Sequence, residues 1–161
     1  MTGAEQGAPV YRARIVWTGN RGQGTASYTG YDRSWNVETP GKPVIACSND
    51  PLLGGDPARH NPEDMLISAL SACHMLWFLH FAADAGIAVQ AYEDDPEALG
   101  EVTAGGAGQF LSATLRPRIT VAAGTDLAAA DGLHGRVHDV CFIARSVAFP
   151  VAVAARYRIA P

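Results

Sequence analysis

Three cysteines carry the reactive sulfur of this chain of 161 residues: Cys47, Cys73 and Cys141. They are too far apart for a zinc knuckle or a thioredoxin-type Cys-x-x-Cys pair, and in a reducing compartment they start as thiols. Cys73 lies in the middle of "NPEDMLISALSACHMLWFLHFAADAG", residues 61 to 86, where a cysteine taken alone reads as a small buried hydrophobe. Cys141 lies in "RVHDVCFIARSVAFPV", with His138 three residues before it and Arg145 four after it. A cation near a thiol favours the thiolate, the nucleophilic form. Spacing alone leaves two readings open, packing and a paired-thiol site. Metal chemistry has less support. His74, His80, His134 and His138 could join the cysteines around zinc, but the close helical pair His134 and His138 lacks the Glu that follows the first His in a zincin, so no metal is expected.

The elements that must position these thiols are legible in outline. Asn61 is an N-cap, Pro62 fits the first helical position, and Glu63 and Asp64 suit the positive end of the helix dipole. From Met65 to Ala83 the helix is apolar on nearly every face, interrupted only by Ser68, Ser71, His74 and His80, and Gly86 is its stop. Its length approaches a membrane span. Two internal histidines, acidic residues at both ends and the lack of a Lys or Arg boundary argue against that reading. A helix of this kind packed on one sheet leaves a large apolar face, which a two-fold dimer with facing helices would bury.

Elsewhere, "VYRARIVW" (10 to 17) alternates as a half-buried strand and "TGNRGQG" reads as a turn; its glycines are not followed by the Lys-Ser/Thr of a phosphate loop. Strands are expected through "TASYTGY" and "SWNVETP", and a loop over 48 to 60. After the long helix come a strand at "IAVQAYEDD", a further strand and hairpin turning at "AGGAG", a helix over "TDLAAADGLHGRVHDVC" capped by Thr125 or Asp126, and a last strand "PVAVAARYRI". The order predicts an α+β protein with an antiparallel sheet over one side of a central helix. Residues 1–9 are expected as a disordered tail before a single domain, 10–161. They hold no basic cluster and no apolar core, so no secretory signal is expected and a cytoplasmic setting is the default. With 48% apolar residues, 17% charged residues and a formal net charge of -4, the chain offers no basic stripe for nucleic acid.

The strings "NPEDMLISALSACHMLWFLHFAADAGI", "VHDVCFIARSVAFPV" and "WTGNRGQGTASY" resemble the family of osmotically inducible protein C and the organic hydroperoxide resistance proteins, over roughly residues 10 to 159. The resemblance implies antiparallel sheets wrapped around long central helices in an intertwined homodimer, with two active sites at the interface of a thiol peroxidase. Carried onto this sequence, it makes Cys73 the peroxidatic cysteine, Cys141 the resolving cysteine, Glu63 the family's glutamate and Arg21 its arginine, with Arg12, Arg14 and Arg33 as alternatives. It implies an organic hydroperoxide or hydrogen peroxide as substrate, no bound cofactor, and an external dithiol, lipoyl-type or other thiol, as reductant. Leu70, Leu76 and Trp77 would favour an organic hydroperoxide unless they are core, the better reading for Leu76. Ten positions separate Glu63 from Cys73, about 15 Å along one helix, so an arginine linking them must come from elsewhere, such as the partner chain. Phe142 stands where organic hydroperoxide resistance proteins have proline, and Arg145 where OsmC-like sequences more usually have asparagine. Cys47 has no counterpart and reads as a thiol without a role. The rival reading is a non-enzymatic dimer that binds an apolar molecule or senses redox state.

Overall fold

The computed structural model describes residues 8–161, so residues 1–7 of the expected tail lie outside the described residues. The chain divides into two compact units, one up to Met65 and one from Leu66 onward.

In the first unit, β1 (Arg14–Trp17), β2 (Trp35–Glu38) and β3 (Ile45–Cys47) form an antiparallel sheet in that order. The first strand is shorter than its alternation suggests, because only residues 14 to 17 face a partner on β2. The segment 25–31 is a series of turns rather than a strand. Its amides bond locally, Ala26 N–H to Gln23 O at 3.3 Å and Gly30 N–H to Ser27 O at 3.0 Å, until Tyr31 meets Asn20 in an isolated bridge. The Asn20 side chain sets up the preceding turn by accepting the Gly22 and Gly24 N–H groups at 2.8 and 2.9 Å, with Gly22 at a φ of 106° that favours glycine.

Helix α1 (Pro62–Asp84) starts where its chemistry dictates. Asn61 Oδ1 accepts the Asp64 N–H at 2.7 Å and Asp64 returns a carboxylate oxygen to the Asn61 N–H at 3.3 Å, a capping box with aspartate in the third position. At the other end Gly86 adopts a φ of 73° and the Ile87 N–H reaches back to Ala82 O at 2.8 Å, closing the last turn.

The second unit carries the rest of α1, then β4 (Val89–Asp94), β5 (Glu97–Val102), β6 (Gly108–Leu115), β7 (Pro117–Val121), α2 (Leu127–Val140), β8 (Val151–Val153) and β9 (Arg156–Ile159). Two three-stranded sheets result, β4-β7-β9 and β5-β6-β8. The α+β class holds, but the sheets are mixed. β6–β8 and β7–β9 pair in parallel, because the chain reaches β8 and β9 through the α2 crossover rather than a hairpin. The single last strand suggested by "PVAVAARYRI" is split in two, one piece for each sheet. A matching break falls between β6 and β7, where Pro117 has no N–H to give and the Arg116 N–H turns to Asp94 Oδ1 at 2.6 Å. The other Asp94 oxygen accepts the Ser71 hydroxyl at 2.5 Å, fastening α1 to the break.

α1 is long and apolar enough to cross a membrane, with a window of mean hydropathy 1.6; here one stripe of it packs in a core. Leu70, His74, Phe78 and Ala82, spaced four apart, are its buried residues. Phe78 and Ala82 join Ile119, Val121, Leu133, Val137 and Cys141, whereas Leu70 packs with Ala113 and Leu115. Leu76, expected in the core, is instead 62% exposed. It belongs to an outward stripe with Ala69, Ala72, His80 and Ala83, offset from the buried one by the helical period.

Candidate functional site

The chemistry of the second unit gathers where α1 meets the carboxyl end of α2. α2 begins at Asp126, whose side chain accepts the Ala128 and Ala129 N–H groups at 2.9 and 3.1 Å, so of the two cap candidates aspartate serves. It ends at Cys141, the C-cap residue, whose N–H still bonds to Val137 O at 2.8 Å. The chain then folds into a short 3-10 turn, Ala144–Ser146. Its entry aims the Ala144 N–H at Cys141 Sγ, 3.4 Å away, and the Arg145 N–H at Cys141 O, 3.1 Å away. Arg145 itself is exposed.

Cys141 Sγ lies 2.8 Å from Cys73 Sγ, although 68 positions separate them in sequence. Both are free thiols, and the gap exceeds a disulfide bond length by less than about 1 Å. The two sulfurs are not equivalent. Cys141 is fully buried and Cys73 only partly so. Burial first, and then the contact with Cys73, push the Cys141 thiol up to about 11, so near neutrality it keeps its proton. Trp77 and Phe81 of α1 and Ile143 beyond α2 pack against the same core as Cys73.

Beside the thiols runs a polar chain of His74, His134 and Tyr157, whose histidines the sequence offers only as weak zinc candidates. His74 Nε2 and His134 Nδ1 are 2.8 Å apart, and His134 Nε2 lies 3.0 Å from the Tyr157 hydroxyl on β9. The ring planes of the two histidines differ by 15° with centroids 5.0 Å apart, which with so short an N···N distance sets them edge to edge, sharing one proton. Phe78 covers the face of His134, with centroids 4.6 Å apart. Burial, helped by the neighbouring His134 and His138, pushes His74 down to about 4; burial also lowers His134, against the pull of Asp131 and Asp94. The sequence signal for this chain is the histidine itself: a polar ring inside an apolar helix must find a partner once buried.

Arg21 and Glu63 belong to the first unit. Glu63 is exposed in the first turn of α1. Arg21 gives an N–H to the Thr29 carbonyl and stands 3.7 Å from an Asp32 carboxylate oxygen. It helps line a polar cleft of about 570 Å³ with Arg33, Arg59 and Asp56. Arg33, an alternative to Arg21, sits over the Tyr28 and Tyr31 rings at 4.6 and 5.2 Å. Cys47 closes β3, buried, with its Sγ 3.6 Å from Met65 Sδ and burial raising its thiol. Among the described residues no group of three His, Cys, Asp or Glu side chains is placed to hold a metal ion.

The family model described as OsmC-like protein matches residues 54–156. An OsmC-like protein of unknown function from Vibrio cholerae is 27% identical, with a TM-score of 0.82 over 92% of this chain and 100% of its own. An organic hydroperoxide resistance protein from Legionella pneumophila shares the fold at 20% identity and a TM-score of 0.64, covering 93% of this chain and 98% of its own. One from Elizabethkingia anophelis does so at 18% and 0.65, covering 94% and 99%. Among curated proteins none matches significantly.

Proposed function

The chain belongs to the OsmC-like protein family, and on that footing we propose that it is a two-cysteine thiol peroxidase that reduces organic hydroperoxides. The observation that carries this reading is the 2.8 Å approach of a buried thiol to a partly exposed one. The names of the fold relatives from Legionella and Elizabethkingia, organic hydroperoxide resistance proteins, point to the substrate class.

Cys73, the more accessible sulfur, attacks the outer oxygen of the peroxide as its thiolate. The O–O bond breaks, the alkoxide leaves and takes a proton as an alcohol, and Cys73 becomes a sulfenic acid. Cys141 then attacks that sulfur. The S–O bond breaks, water leaves with the thiol's proton, and a Cys73–Cys141 disulfide forms. An external dithiol reduces it by exchange, so the cycle uses no resident metal, flavin or nucleotide. Protonated and sheltered near neutrality, Cys141 suits the second step better than the first.

Arg21 is proposed to polarise the peroxide and Glu63 to hold that arginine, both in an intertwined homodimer within a reducing cytoplasm. The support for a dimer is the outward stripe of α1, where apolar Ala69, Ala72, Leu76 and Ala83 face solvent in the single chain. That stripe also fits the alternative, a non-enzymatic dimer that binds an apolar molecule.

The test is turnover: cumene hydroperoxide or hydrogen peroxide is mixed with dihydrolipoamide and the wild-type protein or Cys73→Ser. Wild type is expected to consume peroxide catalytically, with the organic substrate preferred. Consumption no faster than with Cys73→Ser would sink the enzymatic reading and leave the binding one.

A further inference from the structure

We propose that His74 and His134 are positioning residues for the thiol pair: their shared hydrogen bond is a brace that holds the two cysteine-bearing helices in the rotation at which Cys73 and Cys141 meet. The proposal rests on the reading that these two thiols form a disulfide during function.

The brace joins the same two helices as the sulfurs do. His74 directly follows Cys73 on α1. On α2, His134, Val137 and Cys141 are spaced three and four apart and share one face, all three buried. α1 and α2 are therefore linked at two places, the nitrogens 2.8 Å apart and the sulfurs 2.8 Å apart, separated by about 10 Å along α2. One tether would let either helix roll about it; two block that motion.

The surroundings keep the brace in one arrangement. Phe78, one turn beyond His74, lies flat on the His134 ring, and the Tyr157 hydroxyl takes up the remaining His134 nitrogen. Tyr157 is anchored by the parallel register of β9 on β7, opposite Ile119. Both imidazoles are buried and biased to the neutral form, in which one ring supplies the N–H and the other the lone pair. Two protonated rings would have no acceptor between them. In the mechanism above neither ring touches the peroxide or the reacting sulfurs, so they act through helix placement alone.

The experiment is the equilibrium between the Cys73–Cys141 dithiol and its disulfide in mixtures of reduced and oxidised dithiothreitol, read by alkylation and mass spectrometry on the full chain. No peroxide enters it. His74→Leu removes one partner and is expected to lower the equilibrium constant for disulfide formation about fivefold, the worth of one net hydrogen bond. His74→Gln, which keeps a polar group near the Nε2 position, is expected to recover most of it. His134→Gln withdraws the Nδ1 partner and should match His74→Leu; it supplies the answer if the leucine variant does not fold. A wild-type constant in these partner-removing variants, or no recovery in His74→Gln, overturns the proposal. So does a loss of stability of the reduced protein with an unchanged constant, since that is what plain core packing would give. A protein that closes the disulfide with this dependence yet turns over no peroxide keeps the brace and loses the enzymatic reading, so the two failures are distinguishable.

Discussion

Cys47 and Cys141 are equally buried, and burial raises both thiols above their ordinary value. Their neighbours differ in kind. Cys47 ends an edge strand of a small antiparallel sheet and points its S–H at the thioether of Met65, 3.6 Å away, a weak acceptor that cannot form a disulfide with it. Cys141 ends a helix and faces a second thiol at 2.8 Å, with the Ala144 N–H on its sulfur. Burial beside a thioether fits a packing role for Cys47; burial plus a thiol in bonding reach fits the resolving role proposed for Cys141. The proposed reactive pair is thus made where the end of one helix meets the middle of another, and the Cys47 site by a local strand that packs.

The sharpest way to break that contrast is Cys141→Ser. Repeated dithiol-driven turnover is expected to fail while the first peroxide equivalent is still consumed, and mass spectrometry should find Cys73 trapped as sulfenic and then sulfinic acid. Full activity through many cycles would remove Cys141 from the resolving role. The next largest effect is on stability against pH. His74 takes up a proton near 6.5 when unfolded but only near 4 when folded, so over that interval the unfolded state binds more protons. Stability should fall as pH drops from about 6.5 to about 4, by about 3 kcal/mol from this ring, and flatten below; His134 acts in the same direction. Urea unfolding across that range checks it, with His74→Gln expected to reduce the slope.

Leu76→Glu sharpens the contrast between helix faces. If the proposed dimer forms through the exposed stripe, a charge there should shift light scattering towards monomer, whereas the same residue on the buried stripe would prevent folding. The smallest effect belongs to Cys47→Ala. About 1 kcal/mol of stability should be lost with the packing, and peroxide turnover should stay at the wild-type level. A turnover defect there would erase the distinction between the two sulfurs.

What is legible in the sequence is what local chemistry decides. Asn61 with Asp64 and Asp126 set helix starts through side-chain bonds to nearby amides, and Gly86 sets a helix end through its positive φ, all decided within a few residues. Strand limits depend on partners far along the chain. Residues 10 to 13 alternate well yet lie outside β1, residues 25 to 31 fold into local turns, and the last strand divides because β6 and β7 divide. The same holds in the site. Cys73 and Cys141 can be singled out by type, but their meeting follows from the packing of α1 on α2, and the His74–His134 bond from the same contact.

That meeting has a consequence for the chain when it is unfolded. The sulfurs are 68 positions apart in sequence, so a disulfide there closes a long loop and removes about 4 kcal/mol of conformational freedom from the denatured ensemble. The oxidised form should therefore melt later than the reduced one. Each turn of the proposed cycle would then alternate a tighter and a looser protein, and the supply of reductant would set how often the chain opens.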